Sequence, residues 1–351
     1  MATTDAAMQI LSGNLYDALG VNVKKTVAQW QRTAPLLSIL KAEPGSGKAC
    51  VWDAEFAAST APKYYAENAD FDYGADGYAD TRVTAVLQWQ QLAIPVQISN
   101  LALGASKANS NPGDLAMLAD KNFANALKMF AKKLNTDLFT GSGTNQITGL
   151  RNSSTVGGIS AGGTYAGINR STYSAWAGQS LSNADGTALT VDLVEQLRTK
   201  ILIESGMQPD LMVVSPNTLR VMKQLFNGSS YRRWSADDVA NTVEDQLMIS
   251  GMRVVPDYCI SESDGYGKIF MLNSDAVHIE YLPPVLQDGD FVIPVMAGNG
   301  ETSESVGLPI HVQLMARNGL YNRWSMSLTS QLVVTRPNAN GYIGGISLTV
   351  S

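Results

Sequence analysis

The chain has 351 residues, 45% of them hydrophobic and 16% charged, with a formal net charge of −6. That length allows two or three packed subdomains, and that hydrophobic content excludes a disordered chain. The acidic balance argues against a dedicated nucleic-acid groove, which needs a basic footprint to neutralise phosphates.

Charged residues fall well below the usual quarter, which leaves much weakly polar surface of the kind that copies of a subunit cover in an assembly. Cys50 and Cys259 stand far apart inside apolar, strand-like runs, so reduced thiols are expected and neither a disulfide framework nor a zinc site. The opening MATTDAAMQILSG lacks the basic start and apolar run of a signal peptide, and no apolar stretch is long enough to span a membrane. Synthesis and assembly in a cytoplasm are expected.

Residues 1–41 read as an arm, mildly basic, with an amphipathic stretch from Val21 to Leu40 that Pro35 interrupts. Residues 48–56, KACVWDAEF, put Cys50, Trp52, Ala54 and Phe56 on one face of a strand. Residues 81–98 alternate again, through Val83, Ala85, Leu87 and Trp89 and then Leu92, Ile94, Val96 and Ile98. Between these strands lie 24 residues with few aliphatic side chains. A loop of that length is usually functional or supported by a partner, and an isolated two-stranded hairpin is marginal in water. From Asp53 to Asp80 there are seven acids against a single base, Lys63, a net −6. A solvated acidic loop accounts for the polarity; a hairpin lying on a neighbouring subunit accounts for polarity and length together.

A long helix follows. Asn111 suits the N-cap, Pro112 the first helical position and Asp114 the positive end of the dipole. Leu115, Leu118, Phe123, Leu127, Phe130, Leu134 and Leu138 form one apolar stripe, and Gly141 stops the run. At ~1.5 Å per residue, a helix from Pro112 to Phe139 spans about 42 Å. Residues 141–189 are rich in Gly, Ser and Thr and form an irregular connection with Tyr165, Tyr173 and Trp176 as aromatic anchors.

From Thr190 the pattern is α/β. A helix runs from Val191 to Ser205 with Leu193, Leu197 and Ile201 inward, and Gly206 ends it. The run DLMVVS is a buried strand, Ser215-Pro216 opens a helix through Phe226, and short strands follow near 252–255, 268–272 and 277–282. Ile310, Val312, Leu314 and Ala316 alternate up to a turn at Asn318-Gly319, and the return strand puts Trp324, Met326, Leu328, Leu332 and Val334 on one face.

Several motifs of site chemistry fail on inspection. EPGSGKAC lacks the leading glycine and the hydroxyl residue of a phosphate loop, since those places hold Ala42 and Ala49. An EF-hand begun at Asp72 finds Asp76 and Gly77 in place but has Gly74 and Val83 where ligands belong. His278 and His311 alternate with apolar residues in strands, the usual pattern of structural histidines. Arg170 with Tyr165, Tyr173 and Trp176 is a set that stacks a ligand or anchors a protein interface, and the interface reading is the stronger.

Taken in order, an arm, an extended hairpin, a spine helix, a central α/β region and closing long strands resemble the major capsid proteins of tailed phages, the Hong Kong 97-type fold. DLFTGSGTNQITGLRN (Asp137 to Asn152) is similar to the family's exit from the spine helix. AGINRSTYSAW (Ala166 to Trp176) resembles the segment before the central domain. HVQLMARNGLYNRWSMSLTSQLVVTRP is similar to the strands that return to the peripheral domain.

The resemblance implies an α+β subunit divided into an arm (1–41), an extended hairpin (42–100), a spine helix with its connection (101–184), a central domain (185–305) and closing strands (306–351). It implies a non-catalytic subunit without cofactors, forming hexamers and pentamers of a closed shell around double-stranded DNA, with no sequence-specific DNA binding and no membrane. Scaffolding, portal and decoration proteins would be separate chains, assembly would take place in the host cytoplasm, and the product would be the virion capsid. In the family the hairpin lies across the adjacent subunit near its spine helix. Lys63, Asp70, Asp72, Asp76, Lys128, Lys132, Lys133, Arg170 and Trp176 are therefore the expected inter-subunit contacts. Some members cross-link through a hairpin Lys and an Asn; Lys63 has no recognisable companion signature, so cross-links are not expected. An encapsulin-like shell is the alternative within the fold, and a soluble α/β enzyme the alternative outside it.

Overall fold

Period-two alternation governs most of this chain, and its phase decides which strand pairs with which. The computed structural model describes residues 35–56, 64–67, 82–99, 112–181, 185–225, 248–262, 264–286, 290–295, 308–318 and 321–348. A short helix, α1 (Pro35–Ile39), leads to β1 (Lys41–Pro44), β2 (Ala49–Glu55), β3 (Arg82–Gln88) and β4 (Gln90–Ser99). The spine helix α2 (Pro112–Thr140) comes next, and then the short strands β5 (Thr164–Tyr165), β6 (Ile168–Asn169) and β7 (Gln179–Leu181). Helix α3 (Val191–Ser205), β8 (Leu211–Val214), α4 (Pro216–Leu225), β9 (Met248–Ile249), β10 (Met252–Pro256) and β11 (Gly267–Leu272) form the middle of the chain. It closes with β12 (Val277–Tyr281), β13 (Phe291–Val295), β14 (Leu308–Asn318), β15 (Tyr321–Val334) and β16 (Gly341–Ile346).

The stretch 81–98 is two strands because its apolar phase changes. Ala85 and Leu87 are buried at odd positions, Val96 and Ile98 at even ones, and Trp89 lies at the break. β3 pairs antiparallel with β2, from Ala49↔Gln88 to Glu55↔Arg82. β4 pairs with β15, from Tyr321↔Ser99 to Ser330↔Gln90. A one-residue slip moves every side chain to the other face, so the change of phase is the change of partner.

β15 organises the first sheet. It pairs with β14 through 321–327, with β4 through 321–330 and with β12 through 330–334. The order is β1-β12-β15-β14-β13, with β4 also on β15. The spine helix lies on this sheet, burying Phe123, Leu127, Phe130, Leu134 and Leu138, and the Phe123 ring meets Trp324 edge-on with centroids 5.6 Å apart. Its 29 residues make it about 43 Å long at ~1.5 Å per residue.

The second sheet runs β7-β16-β11-β8-β10-β9. Every side chain of β8 is buried because the strand has a core on each face. Met212 and Val214 join Val194, Leu197, Ile201 and Met222 of α3 and α4. Leu211 and Val213 join Phe270 in the other core, where the Phe139 ring at the end of the spine helix lies 5.4 Å from Phe270. Helix α3 has both of its expected ends. Thr190 Oγ1 accepts from the Leu193 amide at 3.1 Å, and Gly206 takes the left-handed φ of 71°.

The sheets interleave along the chain in a way the segment division did not anticipate. β12 and β13 fall within 185–305 yet pair in the first sheet, and β16 falls within 306–351 yet lies in the second. Two details of the closing hairpin also differ. A register shift between Met315 and Asn318 carries β14 through Asn318, which pairs with Tyr321, so the strand takes in the first residue of the expected turn. Leu314 and Ala316, expected inward, are exposed, because this end of the hairpin runs past the buried core.

Candidate assembly surfaces

The connection after the spine helix determines where the hairpin stands. A helix leaves its last carbonyls without partners. Here the Leu150 amide donates to the Leu138 carbonyl at 2.7 Å and the Arg151 amide to the Phe139 carbonyl at 2.9 Å. The chain must therefore turn back tightly onto the helix end. A Cβ at Gly141 would strike the Ile147 carbonyl, and one at Gly149 would strike the Asp137 carbonyl and the Gly141 amide. Gly141 and Gly149 are space requirements, whereas Gly143 takes a left-handed φ of 78°.

Arg170 holds the next part together. Its Nε donates to the Trp176 carbonyl at 3.1 Å, Nη1 to Gly162 at 2.9 Å, and Nη2 to Gly157 at 2.9 Å and Gly158 at 2.8 Å. Burial lowers the guanidinium pKa to about 10, and the group still carries its charge at neutral pH. Trp176 donates its indole N–H to the Tyr165 carbonyl at 3.1 Å. Arg170 and Trp176 are each 3% exposed. These two of the residues expected to meet a neighbour lie in the subunit's own interior, because an irregular connection leaves many carbonyls that only a forked donor can satisfy together.

These groups seat the hairpin. Trp52 lies 6.3 Å from Tyr165 and 6.4 Å from Trp176, and Phe56 stacks on Tyr173 at 4.5 Å and meets Trp176 edge-on at 5.5 Å. The Val86 amide donates to the Ala166 carbonyl at 2.9 Å. The stem of the hairpin is thus held by its own subunit. Burial pushes the Tyr165 phenol well above its usual range, so its hydroxyl stays neutral and accepts from the Val334 amide at 2.9 Å.

The opposite face of the stem is open. Val51 and Val86 pair across it, 58% and 39% exposed, with Asp53 and Glu55 exposed beyond them. The spine helix offers a surface of opposite sign. Lys128, Lys132 and Lys133 are exposed around Met129, itself 65% exposed, and Lys133 Nζ pairs with Asp137 Oδ1 at 2.7 Å. Lys63, Asp70, Asp72 and Asp76 lie outside the described residues. Val51, Val86 and Met129 were not among the expected contacts. Their signal was present as apolar residues in the solvent phase of an alternating strand and off the stripe of a helix.

Elsewhere the ionisable groups are scattered. His278 Nε2 lies 3.4 Å from Glu280 and 3.9 Å from Glu43, and His311 Nε2 lies 3.0 Å from Asp290, each within the first sheet. Among the described residues no three His, Cys, Asp or Glu side chains gather as metal ligands would. Gly45 to Gly47 form the bend between β1 and β2, with Trp89 Nε1 donating to the Gly47 carbonyl at 3.1 Å.

Solved capsids share this architecture. The cyanophage A-1(L) capsid protein is 20% identical over 90% of this chain and 93% of its own, with a TM-score of 0.68. The SrpI encapsulin of Synechococcus elongatus PCC 7942 is 15% identical over 90% and 89%, with a TM-score of 0.56. The capsid protein of Myoviridae phage XM1 is 10% identical over 89% and 90%, with a TM-score of 0.52. These likenesses give the fold, the Hong Kong 97-type capsid fold. No curated protein matches the chain in sequence. The sequence profile of the SU10 major capsid protein matches residues 8–308, and the chain accordingly belongs to the SU10 major capsid protein family, a non-enzymatic structural subunit of which many copies build the capsid shell.

Proposed function

We propose that this subunit closes, by repeated head-to-tail contacts, into the hexameric and pentameric rings of an icosahedral tailed-phage head around double-stranded DNA. Heterologous contacts generate rings when their rotation closes. The observation that carries this reading is the pair of unlike surfaces on one subunit: an outward hairpin face with Val51, Val86, Asp53 and Glu55, and a spine face with Met129 ringed by lysines. The hairpin of one copy lies across the spine helix of the next, with the acids of its tip, Asp70, Asp72 and Asp76, toward Lys128, Lys132 and Lys133. The net acidity of the chain suits a container that should not grip each phosphate it touches. Scaffolding, portal and decoration are the work of other chains, and assembly takes place in the host cytoplasm.

Negative-stain microscopy of the expressed protein tests the shell. Closed isometric particles are expected, and a small monodisperse oligomer would refute it. The similarity to an encapsulin favours a second reading, a shell around protein cargo. A 260 nm signal that nuclease cannot reach supports the phage head, and a co-purifying enzyme supports the encapsulin.

A further inference from the structure

Away from these surfaces, a carboxylate is buried with no cation beside it among the described residues. Asp257 follows β10 with no exposed surface, and its amide donates to the Val214 carbonyl at 2.9 Å. Its Oδ1 accepts from the Cys259 amide at 2.8 Å and its Oδ2 from the Leu36 amide at 3.2 Å. Asn135 Nδ2 lies 2.9 Å from both oxygens. Asn135 is itself fully buried, between Leu134 and Leu138 of the spine helix, and its Oδ1 is buried with no hydrogen-bond partner among the described residues. Three elements meet at this one carboxyl group: α1, the spine helix and the end of β10.

Two unfavourable features face each other there. An ionised carboxylate away from water and from any countercharge is costly, and a buried amide oxygen without a donor is costly too. One proton relieves both. Taken from solvent and held on Oδ2, whose bond from Leu36 is the longer, it donates to Asn135 Oδ1 after a small rotation of the amide. Asn135 Nδ2 and the Cys259 amide then both donate to Oδ1, which closes an acid–amide ring of two hydrogen bonds. The carboxyl goes from −1 to neutral.

Among the described residues the surroundings offer no competing charge. Helix α1 has no titratable side chain, the spine helix presents Asn135, and the turn after β10 presents the Cys259 thiol. The influences acting most strongly on Asp257 are its own burial, which raises its pKa above the ordinary aspartate value, and the opposing hydrogen bonds from Asn135, Cys259 and Leu36. We infer that Asp257 and Asn135 form a proton-holding acid–amide pair that fastens α1 and the spine helix to the end of β10 and loosens when the proton leaves. Because the folded form binds the proton more tightly than the unfolded one, the contribution is full below the ordinary value of ~3.9 and is lost as pH rises through the folded value. Leu36, Leu37 and Leu40, all deeply buried, are the side chains whose seating it governs.

Infrared spectroscopy of assembled particles carrying 13C at the aspartate side-chain carboxyl tests the pair. At about pH 5, above the ordinary aspartate value, wild-type particles should show a label-sensitive band of a protonated carboxylic acid. The band should vanish in Asp257→Asn particles and shift in Asn135→Ser particles. Wild-type particles without the band overturn the inference whether or not a variant folds, and so does a band that survives Asp257→Asn. In hydrogen exchange corrected for intrinsic rate, the 35–40 peptide should lose protection as pH is raised above the ordinary aspartate value of ~3.9 in wild type and not in Asp257→Asn. A pH-independent wild type would equally overturn it.

Discussion

Arg170 Nη2 donates to the Gly158 carbonyl at 2.8 Å from deep inside the subunit, with Gly157, Gly162 and Trp176 bound by the same guanidinium. A residue type that often marks interfaces here replaces the ladder that an irregular segment cannot form for itself. The hairpin stem leans on the aromatic side chains this arrangement positions, so a fault at Arg170 is transmitted to β2 and β3.

Arg170→Leu should destabilise the subunit by ~3 kcal/mol or more, since it leaves several buried carbonyls unpaired at ~1–3 kcal/mol each. Arg170→Lys should recover only part of this, because an ammonium cannot fork to four carbonyls. Urea unfolding of unassembled subunits measures both; a midpoint like that of wild type for the Leu variant would show the hub to be dispensable.

The turn residues should respond in opposite directions. Gly149→Ala drives a Cβ into the Asp137 carbonyl and the Gly141 amide and should cost ~1–3 kcal/mol. Ala166 adopts a left-handed φ of 51°, so Ala166→Gly should stabilise by a few tenths to ~1 kcal/mol once the added freedom of the unfolded chain is subtracted. Thermal unfolding of the two variants should move the midpoint down and up respectively.

Deleting Ala58 to Tyr78 should leave a folded subunit that assembles poorly. The stem keeps its anchors, Trp52 and Phe56 against Tyr173 and Trp176, so circular dichroism should stay close to wild type. Shells of normal yield from the deletion would remove the hairpin tip from the assembly contact.

Lys128→Glu with Lys132→Glu and Lys133→Glu should block assembly, and Asp70→Lys, Asp72→Lys and Asp76→Lys in the same chain should partly restore it. Lys133 already pairs with Asp137, so Lys128 and Lys132 should account for most of the effect. Single exposed pairs contribute only ~0.2–1 kcal/mol, and their influence should fall on register and assembly rate. Light scattering should show slower assembly at high salt, as the Debye length falls from about 10 Å at 0.1 M to about 3 Å at 1 M. Wild-type kinetics in the triple Glu variant would refute the docking.

The chain by itself determined its elements wherever local chemistry is strong. Pro112 and Gly141 bracket a helix that runs from Pro112 to Thr140, and Thr190 and Gly206 bracket α3. Alternation placed β2, β3, β4, β14 and β15, and even the change of partner at Trp89 is written as a change of phase. Gly141 announced the end of the spine helix; that Gly141 and Gly149 also let two backbone segments touch is visible only in the fold. The legible features depend on a residue and its near neighbours along the chain, which is the range over which caps, turns and periodicity act.

Only the tertiary structure decided what those elements face. Nothing local says that β12 and β13 leave the middle of the chain for the sheet of β15, because strand partners are chosen by whichever apolar faces must be covered together. Arg170 and Trp176 carry the composition of an interface, and the fold encloses them because the glycine-rich connection wraps back over their donors. Asp257 and Asn135, 122 positions apart, were unremarkable polar residues until α1, the spine helix and β10 closed around them. Burial and partner are properties of the packed whole. A single chain states which side chains are apolar or charged, and the fold alone states which of them water still reaches.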